Sequence, residues 1–552
     1  MNSTIRSRLP SVLAALLAAL LLLAGCASAP PPPESRPRLV VLLVVDGLPQ
    51  RQIVDYRDQL APDGFNRFLE RGTWFADARY GHAHTVTAAG HATMLTGAYP
   101  HRTGIISNEW RDPVTGKTEY NTADTAHTYL GHKAGALAGT SPKNLRAQTL
   151  GDVLRGIDAK SKVIAISGKD RGAILPAGHK GTAYMYMAQS GQFVTSTYYM
   201  KEHPAWVTAF NDAKPADRYF KATWAPLLPE MAYARSVPDA QPWFAKGGKL
   251  PMAMGEGFDG PGPLYYARLY QSPFLDALSL DFARAALAGE ALGQDEATDI
   301  LAVSLSSHDY INHAWGSESR LSHDHVLQLD LLLQAFFRDL DRRVGKDDYL
   351  VVLTADHGFM PSPGYSKSIG QPGGVQSGSQ SIARLNAGLA PKFGEGNWAL
   401  GWSAHGVLLD RALIAQKGVD ARLLGMEAKA LLLKEEGLAD VFTRAEIEDR
   451  ATPARPFLAQ VRRTWHRDLS GDLQAIVRPN WMFSTSSPYA ATHGSPHPYD
   501  AQVPILVYGP RWAKPGRIAT PVEVVDIAPT LARILGVPAP SASEGKLLPL
   551  AP

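Results

Sequence analysis

Acidic and imidazole side chains recur in four short motifs along the chain. The motifs are "VVDGL", "SSHDYINHAWG", "TADHG" and "ATHGSPHPYD", and they contribute Asp46, Asp309, His313, Asp356, His357 and His493. Three carboxylates and three imidazoles form the oxygen and nitrogen set that suits zinc and similar divalent ions in pairs. Each motif alone is typical of a turn or of a structural histidine. Because successive motifs follow predicted strands, together they favour a metal site.

Four threonines lie in the segment "HTVTAAGHATMLTG", residues 84–97, which contains a predicted helix over about Ala88–Leu95. Thr87 lies directly before that helix, where backbone N–H groups and the helix dipole favour an anion. Its hydroxyl can cap the helix or, beside a metal, act as an activated nucleophile, and the two roles are compatible. Composition alone leaves three other threonines as alternatives, namely Thr85, Thr93 and Thr96.

Five apolar runs predict the sheet that positions these groups. They are "LVVLLVV", "KVIAIS", "ILAVSLS", "YLVVLTA" and "VPILVYG", each rich in Val, Ile or Leu and without clear alternation. Such runs are typical of strands buried on both faces of a largely parallel sheet, and helical patterns lie between them. The predicted fold class is therefore α/β, with a largely parallel central sheet sandwiched by helices. In such sheets ligands bind beyond the carboxyl ends of the strands.

Two segments interrupt this alternation, at about 182–294 and 362–487, and we interpret both as insertions that cap the site. Residues 38–540 are predicted to form one catalytic domain, followed by a C-terminal tail at 541–552. The net charge of +3 falls to +1 without residues 1–25, which hold two arginines and no acid. Nothing in that balance indicates nucleic-acid binding. The oligomeric state stays open, with a monomer as one expectation.

The N-terminal residues have the layout of a secretory signal, with two arginines followed by an apolar run and small residues. We predict a signal peptide at 1–25 and a Pro-rich tether at 26–37. "LAGC" resembles the lipobox of bacterial lipoproteins, so lipidation of Cys26 is expected, and cleavage after "ASA" is the alternative. The expected location is the periplasm of a Gram-negative bacterium, with a lipid anchor in the outer membrane as the only membrane contact. Cys26 is the only cysteine, which excludes an internal disulfide.

The order of these motifs resembles the alkaline phosphatase superfamily, near its nucleotide pyrophosphatase/phosphodiesterase branch. The matching elements are Asp46, "TAAGH" at 87–91, "TGAYPHRTGI" at 96–105, "DYINH", "DHG" and the late "HG". Thr103 departs from the usual His, at a position that is not a metal ligand. The resemblance spans about 39–536 and implies the α/β fold of that superfamily.

The resemblance also implies two zinc ions per chain. One would be held by Asp46, Thr87, Asp356 and His357, and the other by Asp309, His313 and His493. Thr87 would be the nucleophile of a phosphothreonine mechanism, for which an alkaline optimum is expected. His497 is a less favoured alternative to His493. Four further histidines are expected to support the ligands or the fold, namely His82, His84, His91 and His308. Additional Ca²⁺ on the insertions is left open.

Two further motifs narrow the resemblance to the bacterial phosphate-irrepressible, broad-specificity alkaline phosphatases. Asn108 in "GIISNEW" and the pair Lys169 and Arg171 in "SGKDRGA" would bind phosphate, although a solvated charge cluster is the alternative for the pair. A forked guanidinium and an ammonium can together pair with the two negative charges of a phosphate monoester. The prediction is hydrolysis of small-molecule phosphate monoesters, with a phosphodiesterase or nucleotide pyrophosphatase as the alternative. A sulfatase and an inactive ligand-binding lipoprotein are less favoured, because the sulfatase motif is missing and the ligand set is complete.

Overall fold

The structure, a computed structural model, describes residues 36–484 and 489–550. Within these residues the strands are β1 (Leu39–Val45), β2 (Thr73–Phe75), β3 (Ala78–Arg79), β4 (Glu109–Arg111), β5 (Thr118–Tyr120), β6 (Val163–Ser167), β7 (Thr182–Met187), β8 (Gln192–Val194), β9 (Thr223–Trp224), β10 (Met252–Ala253), β11 (Asp299–Leu305), β12 (Tyr349–Thr354), β13 (Gly374–Gln376), β14 (Ala399–Ser403), β15 (Gly406–Leu409), β16 (Leu438–Thr443), β17 (Leu473–Val477), β18 (Trp481–Phe483), β19 (Ile505–Tyr508), β20 (Gly516–Ile518) and β21 (Val522–Glu523).

The α-helices of the same residues are α1 (Gln50–Asp55), α2 (Phe65–Arg71), α3 (Thr87–Thr96), α4 (Pro100–Thr103), α5 (Leu150–Ile157), α6 (Asp170–Ala177), α7 (Ala205–Asp212), α8 (Pro263–Arg268), α9 (Pro273–Gly289), α10 (Ser307–Trp315), α11 (Arg320–Arg343), α12 (Pro363–Ser368), α13 (Gly378–Phe393), α14 (Arg411–Gln416), α15 (Ala421–Leu432), α16 (Arg444–Glu448), α17 (Leu458–Thr464), α18 (Pro498–Ala501) and α19 (Ile527–Leu535).

The central sheet has the strand order β20-β2-β19-β12-β1-β11-β6-β7-β8. Its five inner strands, from β12 to β7, run parallel to one another. Antiparallel pairs join β19 to both of its neighbours and β8 to β7. The predicted α/β class with a largely parallel sheet is therefore confirmed.

Burial on both faces explains why the inner strands are continuous apolar runs. Every residue of β1, β11 and β12 is buried. Apolar side chains of α2, α9, α11 and α19 share one core with these strands. Burying a Val or Leu side chain stabilises a fold by roughly 1.5–3 kcal/mol, so a polar residue on either face of these strands would forfeit stability.

The structure corrects two sequence expectations about the sheet. The run "VPILVYG" forms β19, but β19 is antiparallel to β12, because strand direction depends on the connection and not on the apolar content. The insertion expected at 182–294 contains β7 and β8 of the central sheet, and α9 within it belongs to the central core. Tyr and Met make up much of β7, "TAYMYM", which hid that strand from a search for Val, Ile and Leu.

The segment expected at 362–487 builds a second layer of structure. It contains a four-stranded sheet of order β14-β15-β17-β16, and this sheet shares its own core with α13 and α15. A separate parallel pair joins β13 to β18. The residues of β18 line the cavity described below, so this segment contributes directly to the site.

The described part of the predicted tail at 541–552 packs on the domain. Glu544 N–H donates to Gly97 O at 2.7 Å, and Leu548 is buried. Residues 1–35 lie outside the described residues, and they include the predicted signal peptide, Cys26 and most of the predicted tether. None of the helices in 36–484 and 489–550 has the length and apolarity to cross a bilayer.

Candidate metal and catalytic site

Three neighbouring strands bring the predicted ligands to one edge of the sheet. Because β1 pairs in parallel with both β11 and β12, the carboxyl ends of the three strands lie together. Asp46 follows β1 directly, Asp356 lies shortly after β12, and α10 begins shortly after β11. Asp309 and His313 are one turn apart on α10 and therefore face the same side. All of these side chains converge where α/β sheets bind ligands.

The six predicted carboxylate and imidazole ligands form two groups of three. The groups are Asp46 with Asp356 and His357, and Asp309 with His313 and His493. In the first group, His357 Nε2 lies 3.6 Å from Asp46 Oδ1 and 3.4 Å from Asp356 Oδ2. The partition is the one that the resemblance implies for the two ions.

The second group has similar spacing. Asp309 Oδ1 lies 3.4 Å from His313 Nε2 and 3.6 Å from His493 Nε2. It also lies 3.9 Å from His357 Nε2, so the two groups adjoin. Two ligands of a tetrahedral ion, each about 2.0–2.1 Å from the metal, are about 3.3 Å apart. The observed separations are close to that value.

Backbone carbonyl groups orient the three imidazoles. The Nδ1–H groups donate from His313 to Ala491 O (3.0 Å), from His357 to Gly358 O (2.8 Å) and from His493 to Thr85 O (2.9 Å). Each Nε2 is therefore the unprotonated nitrogen and faces the carboxylates, as expected for a metal ligand. Burial lowers the pKa of all three rings, which favours the neutral form that binds a cation.

The three carboxylates are almost completely buried, with at most 3% of each residue exposed. Among the described residues, neither oxygen of Asp46 accepts a well-directed hydrogen bond, and Asp309 Oδ1 and Asp356 Oδ2 also lack one. The ammonium of Lys169 lies 2.7 Å from both Asp46 and Asp309, but one positive charge does not balance three carboxylates, and each buried carboxylate without compensation costs several kcal/mol. The buried donor set therefore fits two divalent cations.

The carboxylates differ in acidity because their neighbours differ. Burial, together with repulsion from Asp356, raises the pKa of Asp46 well above its usual range. Burial also acts to raise the pKa of Asp309, but attraction from Lys169 and His313 outweighs it and holds that pKa well below the usual range.

Thr87 is the first residue of α3 and lies against the first group. Its hydroxyl oxygen is 3.4 Å from His357 Nε2, and the residue is 1% exposed. Val86 occupies the N-cap position and no side-chain hydrogen bond caps this helix, so of the two roles considered for Thr87 the structure does not show the cap. Because the helix starts at Thr87, the hydroxyl lies at the positive end of the helix dipole.

The three alternative threonines have hydroxyl groups engaged elsewhere. These hydroxyls donate to backbone carbonyl oxygens, from Thr85 to Ser495 (2.8 Å), from Thr93 to Ala89 (2.9 Å) and from Thr96 to Ala92 (2.5 Å). Thr87 is therefore the threonine of this segment whose hydroxyl faces the predicted ligands.

Asn108 is held across the start of α3. Its Oδ1 accepts a hydrogen bond from Ala88 N–H at 2.9 Å. The amide NH₂ of Asn108 is consequently the part of the side chain that is free to donate into the cavity beside Thr87. This placement matches the phosphate-binding role that the resemblance implies.

Lys169 and Arg171 line the same cavity but differ in their contacts. Lys169 Nζ lies 2.7 Å from Asp46 Oδ2 and 2.7 Å from Asp309 Oδ2, so it is closer to the predicted metal ligands than expected for a group that binds only substrate. Burial acts to lower the pKa of Lys169, but attraction from Asp309 and Asp46 outweighs it and raises that pKa. The Arg171 Nη1 group donates to Tyr120 Oη at 3.1 Å.

Among the additional histidines, His91 is the one that contacts the ligand set. Its Nδ1 donates to Thr87 O at 2.9 Å and lies 3.4 Å from Asp356 Oδ2. Burial acts to raise the pKa of Asp356, but attraction from His357 and the His91 contact outweigh it and lower that pKa.

The remaining histidines lie outside both groups. His308 bonds to Gln52 and His325, and His497 donates to Val477 O at 2.8 Å. No hydrogen bond joins His82 or His84 to any of the six carboxylate and imidazole ligands among the described residues. His493 is therefore the imidazole that the structure brings to the second group, as preferred from the motif.

Tyr120, Trp481 and Phe483 are functional candidates that sequence reasoning missed. Tyr120 accepts the Arg171 hydrogen bond and donates to Asp170 Oδ1 at 2.6 Å. Its local sequence, "TEYN", carries no recognisable signal. Trp481 and Phe483 line the cavity, which measures about 520 Å³, and only their aromatic composition could have drawn notice.

Comparisons with known proteins show which proteins this chain is similar to. A family model described as type I phosphodiesterase / nucleotide pyrophosphatase matches residues 40–500. The chain is 34% identical over 518 residues to a "Calcium-transporting ATPase" of Myroides odoratus, covering 93% of this chain and 94% of that protein. It is 34% identical over 516 residues to "Alkaline phosphatase PafA" of Elizabethkingia meningoseptica, with the same two coverages. The crystal structure of wild-type PafA matches with a TM-score of 0.86 and 34% identity, covering 93% of this chain and 98% of that one.

Proposed function

This chain belongs to the type I phosphodiesterase / nucleotide pyrophosphatase family of the alkaline phosphatase superfamily and is a phosphoester hydrolase, and we propose that it hydrolyses a broad range of phosphate monoesters through Thr87. One observation carries the proposal: the Thr87 hydroxyl lies 3.4 Å from His357 Nε2, in a cavity shared with Asn108 and Arg171. A nucleophile, ligands for cations and donors for phosphoryl oxygens thus meet at one point.

Two Zn²⁺ ions per chain are the proposed cofactors, because three carboxylates and three imidazoles fit that ion. Asp46, Thr87, Asp356 and His357 would hold one ion, and Asp309, His313 and His493 the other. When bound, the ions supply Lewis acidity that lowers the pKa of a hydroxyl or water and stabilises a departing oxygen. Ca²⁺ on the insertions is a separate expectation that metal analysis of the purified protein addresses.

Two in-line displacements complete the proposed reaction. The Thr87 oxygen forms a bond to phosphorus as the bond from phosphorus to the leaving alcohol breaks, and the hydroxyl proton is balanced by the proton that the alcohol gains. Water then displaces the Thr87 oxygen, which releases phosphate and restores the hydroxyl. The Asn108 amide and the Arg171 guanidinium donate to the non-bridging oxygens, and Lys169 adds positive charge beside Asp46.

The positive charges of Lys169 and Arg171 in the cavity favour monoesters over diesters. A monoester carries two negative charges on its phosphoryl oxygens, and both Lys169 and Arg171 line the cavity. A phosphodiesterase or nucleotide pyrophosphatase with the same nucleophile is the alternative, supported by the family model and by a cavity with room for a second ester group. The ATPase named among the relatives is compatible with the proposal, since ATP also ends in a dianionic phosphoryl group.

The proposal is tested with Thr87→Ala and a matched control. Thr93→Ala removes the same atoms from a buried position of the same helix, where the hydroxyl bonds to the backbone. Thr87→Ala should abolish phosphate release from an aryl phosphate and retain bound zinc, whereas Thr93→Ala should keep turnover. Normal turnover by Thr87→Ala would contradict the assignment of Thr87 as the nucleophile. Rates on paired monoesters and diesters by the unmodified protein decide between the two activities.

The proposed location is the periplasm, with a lipid anchor on Cys26 in the outer membrane and small-molecule phosphate esters as partners. Support for the location comes from the sequence alone, namely the layout of a secretory signal and the "LAGC" motif, because Cys26 lies outside the described residues. Incorporation of a labelled fatty acid should depend on Cys26 and be lost in Cys26→Ser. Label that persists in that variant would rule out the anchor.

A further inference from the structure

One wall of the reaction cavity is apolar and takes no part in the proposed phosphoryl chemistry. The side chains in question are those of Trp481, Phe483, Tyr489, Met360 and Met482, which all line the cavity and are together called its apolar wall. Phosphate binding needs positive charge, which none of these side chains supplies, and of the five only Trp481 and Tyr489 carry an N–H or O–H donor. Apolar side chains that line an open cavity are typical of binding sites for the apolar part of a ligand.

Neighbouring residues hold two of the aromatic side chains in place. The Phe483 ring contacts the Trp402 ring, with centroids 4.7 Å apart. The Trp481 ring lies against Gly374 and Gly437, where an added Cβ would come within 2.7 Å of the indole. The absence of a side chain at both glycines thus creates the space that Trp481 fills, so its position is set by the surrounding fold.

The third ring places the wall next to the reacting groups. Tyr489 stacks on the imidazole of His313, with ring centroids 4.3 Å apart and planes 25° apart. The residue remains 40% exposed, so part of the Tyr489 surface is uncovered. Thr87 lies against the first ligand group, so in an in-line displacement the leaving group opposite Thr87 would be on the side of the second group, to which His313 belongs. The aromatic part of the wall therefore begins beside the proposed position of the leaving group.

The cavity is larger than a phosphoryl group requires. Its volume is about 520 Å³. A cavity of about 150 Å³ is enough to bind benzene. Space for an aromatic ring therefore remains after a phosphoryl group occupies the polar part of the cavity.

We infer that Trp481, Phe483 and Tyr489 form a leaving-group subsite for phosphate esters of flat aromatic alcohols. The inference rests on the proposed function and names the substrate class that the site favours. Aromatic rings attract one another through stacked and edge-to-face contacts, and methionine sulfur also contacts ring edges favourably. A sugar or glycerol in the same place would lose hydration of several hydroxyl groups and would regain hydrogen bonds from these side chains only at the Trp481 N–H and the Tyr489 hydroxyl.

The test compares benzyl phosphate with ethyl phosphate, because their alcohols are similar in acidity and differ in the ring. The ratio of the two kcat/KM values is the selectivity of each protein. Phe483→Leu and Trp481→Leu should each lower the selectivity for the benzyl ester by about three- to ten-fold, the range expected for loss of one aromatic contact. Tyr489→Phe retains the ring and should retain the selectivity.

Phe393→Leu is the matched control. Phe393 packs against Trp398 in the core of the second segment and does not line the cavity. The Phe393→Leu variant should therefore have the same selectivity as the unmodified protein. Bound metal is measured for every variant, because Tyr489 contacts His313.

Equal losses on both esters in Phe483→Leu and Trp481→Leu would overturn the subsite and assign the wall to structure alone. Calorimetric affinities for benzylphosphonate and ethylphosphonate give the same comparison without turnover. If the unmodified protein hydrolysed neither ester, the proposed function would be contradicted. The phosphonates would still decide the subsite, since equal affinities contradict it and tighter binding of the benzyl compound supports it.

Discussion

Replacing Tyr120 by Phe isolates the part that Arg171 plays in binding a dianion. The Tyr120 hydroxyl accepts from Arg171 Nη1 at 3.1 Å and donates to Asp170 Oδ1 at 2.6 Å. Without this hydroxyl, the Arg171 guanidinium loses the contact. The Asp170 carboxylate still accepts hydrogen bonds from the backbone N–H groups of Arg171 (2.6 Å) and Gly139 (2.7 Å). The change therefore frees the guanidinium without leaving the Asp170 carboxylate unbonded.

The magnitude follows from the type of bond that is lost. A hydrogen bond to a charged group contributes about 1.5–3 kcal/mol, and the lower end of that range corresponds to roughly ten-fold in a rate. We expect Tyr120→Phe to lower kcat/KM for an aryl phosphate monoester by about ten-fold. The loss should be smaller for the matched diester, which carries one negative charge fewer.

Initial rates on the monoester and the diester, with thermal unfolding as a check on folding, measure this effect. Tyr129→Phe is the control, because Tyr129 lines a neighbouring cavity together with Tyr120, Asp170 and Arg171, and within the described part of the chain no hydrogen bond joins it to the guanidinium. Equal losses on both substrates would refute the reasoning, and so would a result for Tyr120→Phe that matches the control.

Three other outcomes are expected. Lys169→Ala combined with Arg171→Ala should reduce monoester rates more than diester rates, and equal reductions would show that the pair does not recognise the second charge. Removal of metal by a chelator should abolish activity and lower the unfolding temperature, because the buried carboxylates would lose their cations, and added Zn²⁺ should restore both. An unfolding temperature that chelation does not change would contradict cation binding by the two ligand groups. Burial raises the pKa of Asp330 to about 6 in the folded chain. Because this folded value exceeds the unfolded one of about 3.9, the free energy of unfolding should fall by about 3 kcal/mol as pH rises through that window. Because burial also raises the pKa of Asp500, to about 7, urea unfolding from pH 4 to 7 should show a decline in both proteins, smaller by about that amount in Asp330→Asn than in the unmodified protein.

The apolar runs of the sequence predicted four of the five inner strands, β1, β6, β11 and β12, and the resemblance in motif order implied the two groups of side chains that the structure brings together. Burial on both faces makes β1, β11 and β12 continuous apolar runs, and chemistry requires polar groups directly after them. The direction of β19 was not predictable, because it depends on a chain reversal rather than on composition. The strand β7 was missed because its Tyr and Met residues lack the usual strand signal.

Contacts between segments that are distant in sequence account for the rest of the site. Tyr120 reaches Arg171 across about fifty residues, and no local pattern encodes that bond. The preference for Thr87 rested on a resemblance, whereas the structure shows the hydroxyls of Thr85 and Thr93 bonded to backbone carbonyls. The position of Lys169 between two carboxylates likewise depends on the three-dimensional fold and cannot be read from the K-x-R spacing.

Thr87 is the residue on which the proposed mechanism depends, and a trapped intermediate tests it most directly. The enzyme is mixed with excess aryl phosphate, quenched in acid within the first turnovers, digested, and analysed by mass spectrometry. We predict a phosphoryl group on Thr87 in the peptide that contains residues 84–97, absent from Thr87→Ala and present in Thr93→Ala. Active turnover with no phosphoryl group on Thr87, or with the group on another residue, would contradict the mechanism.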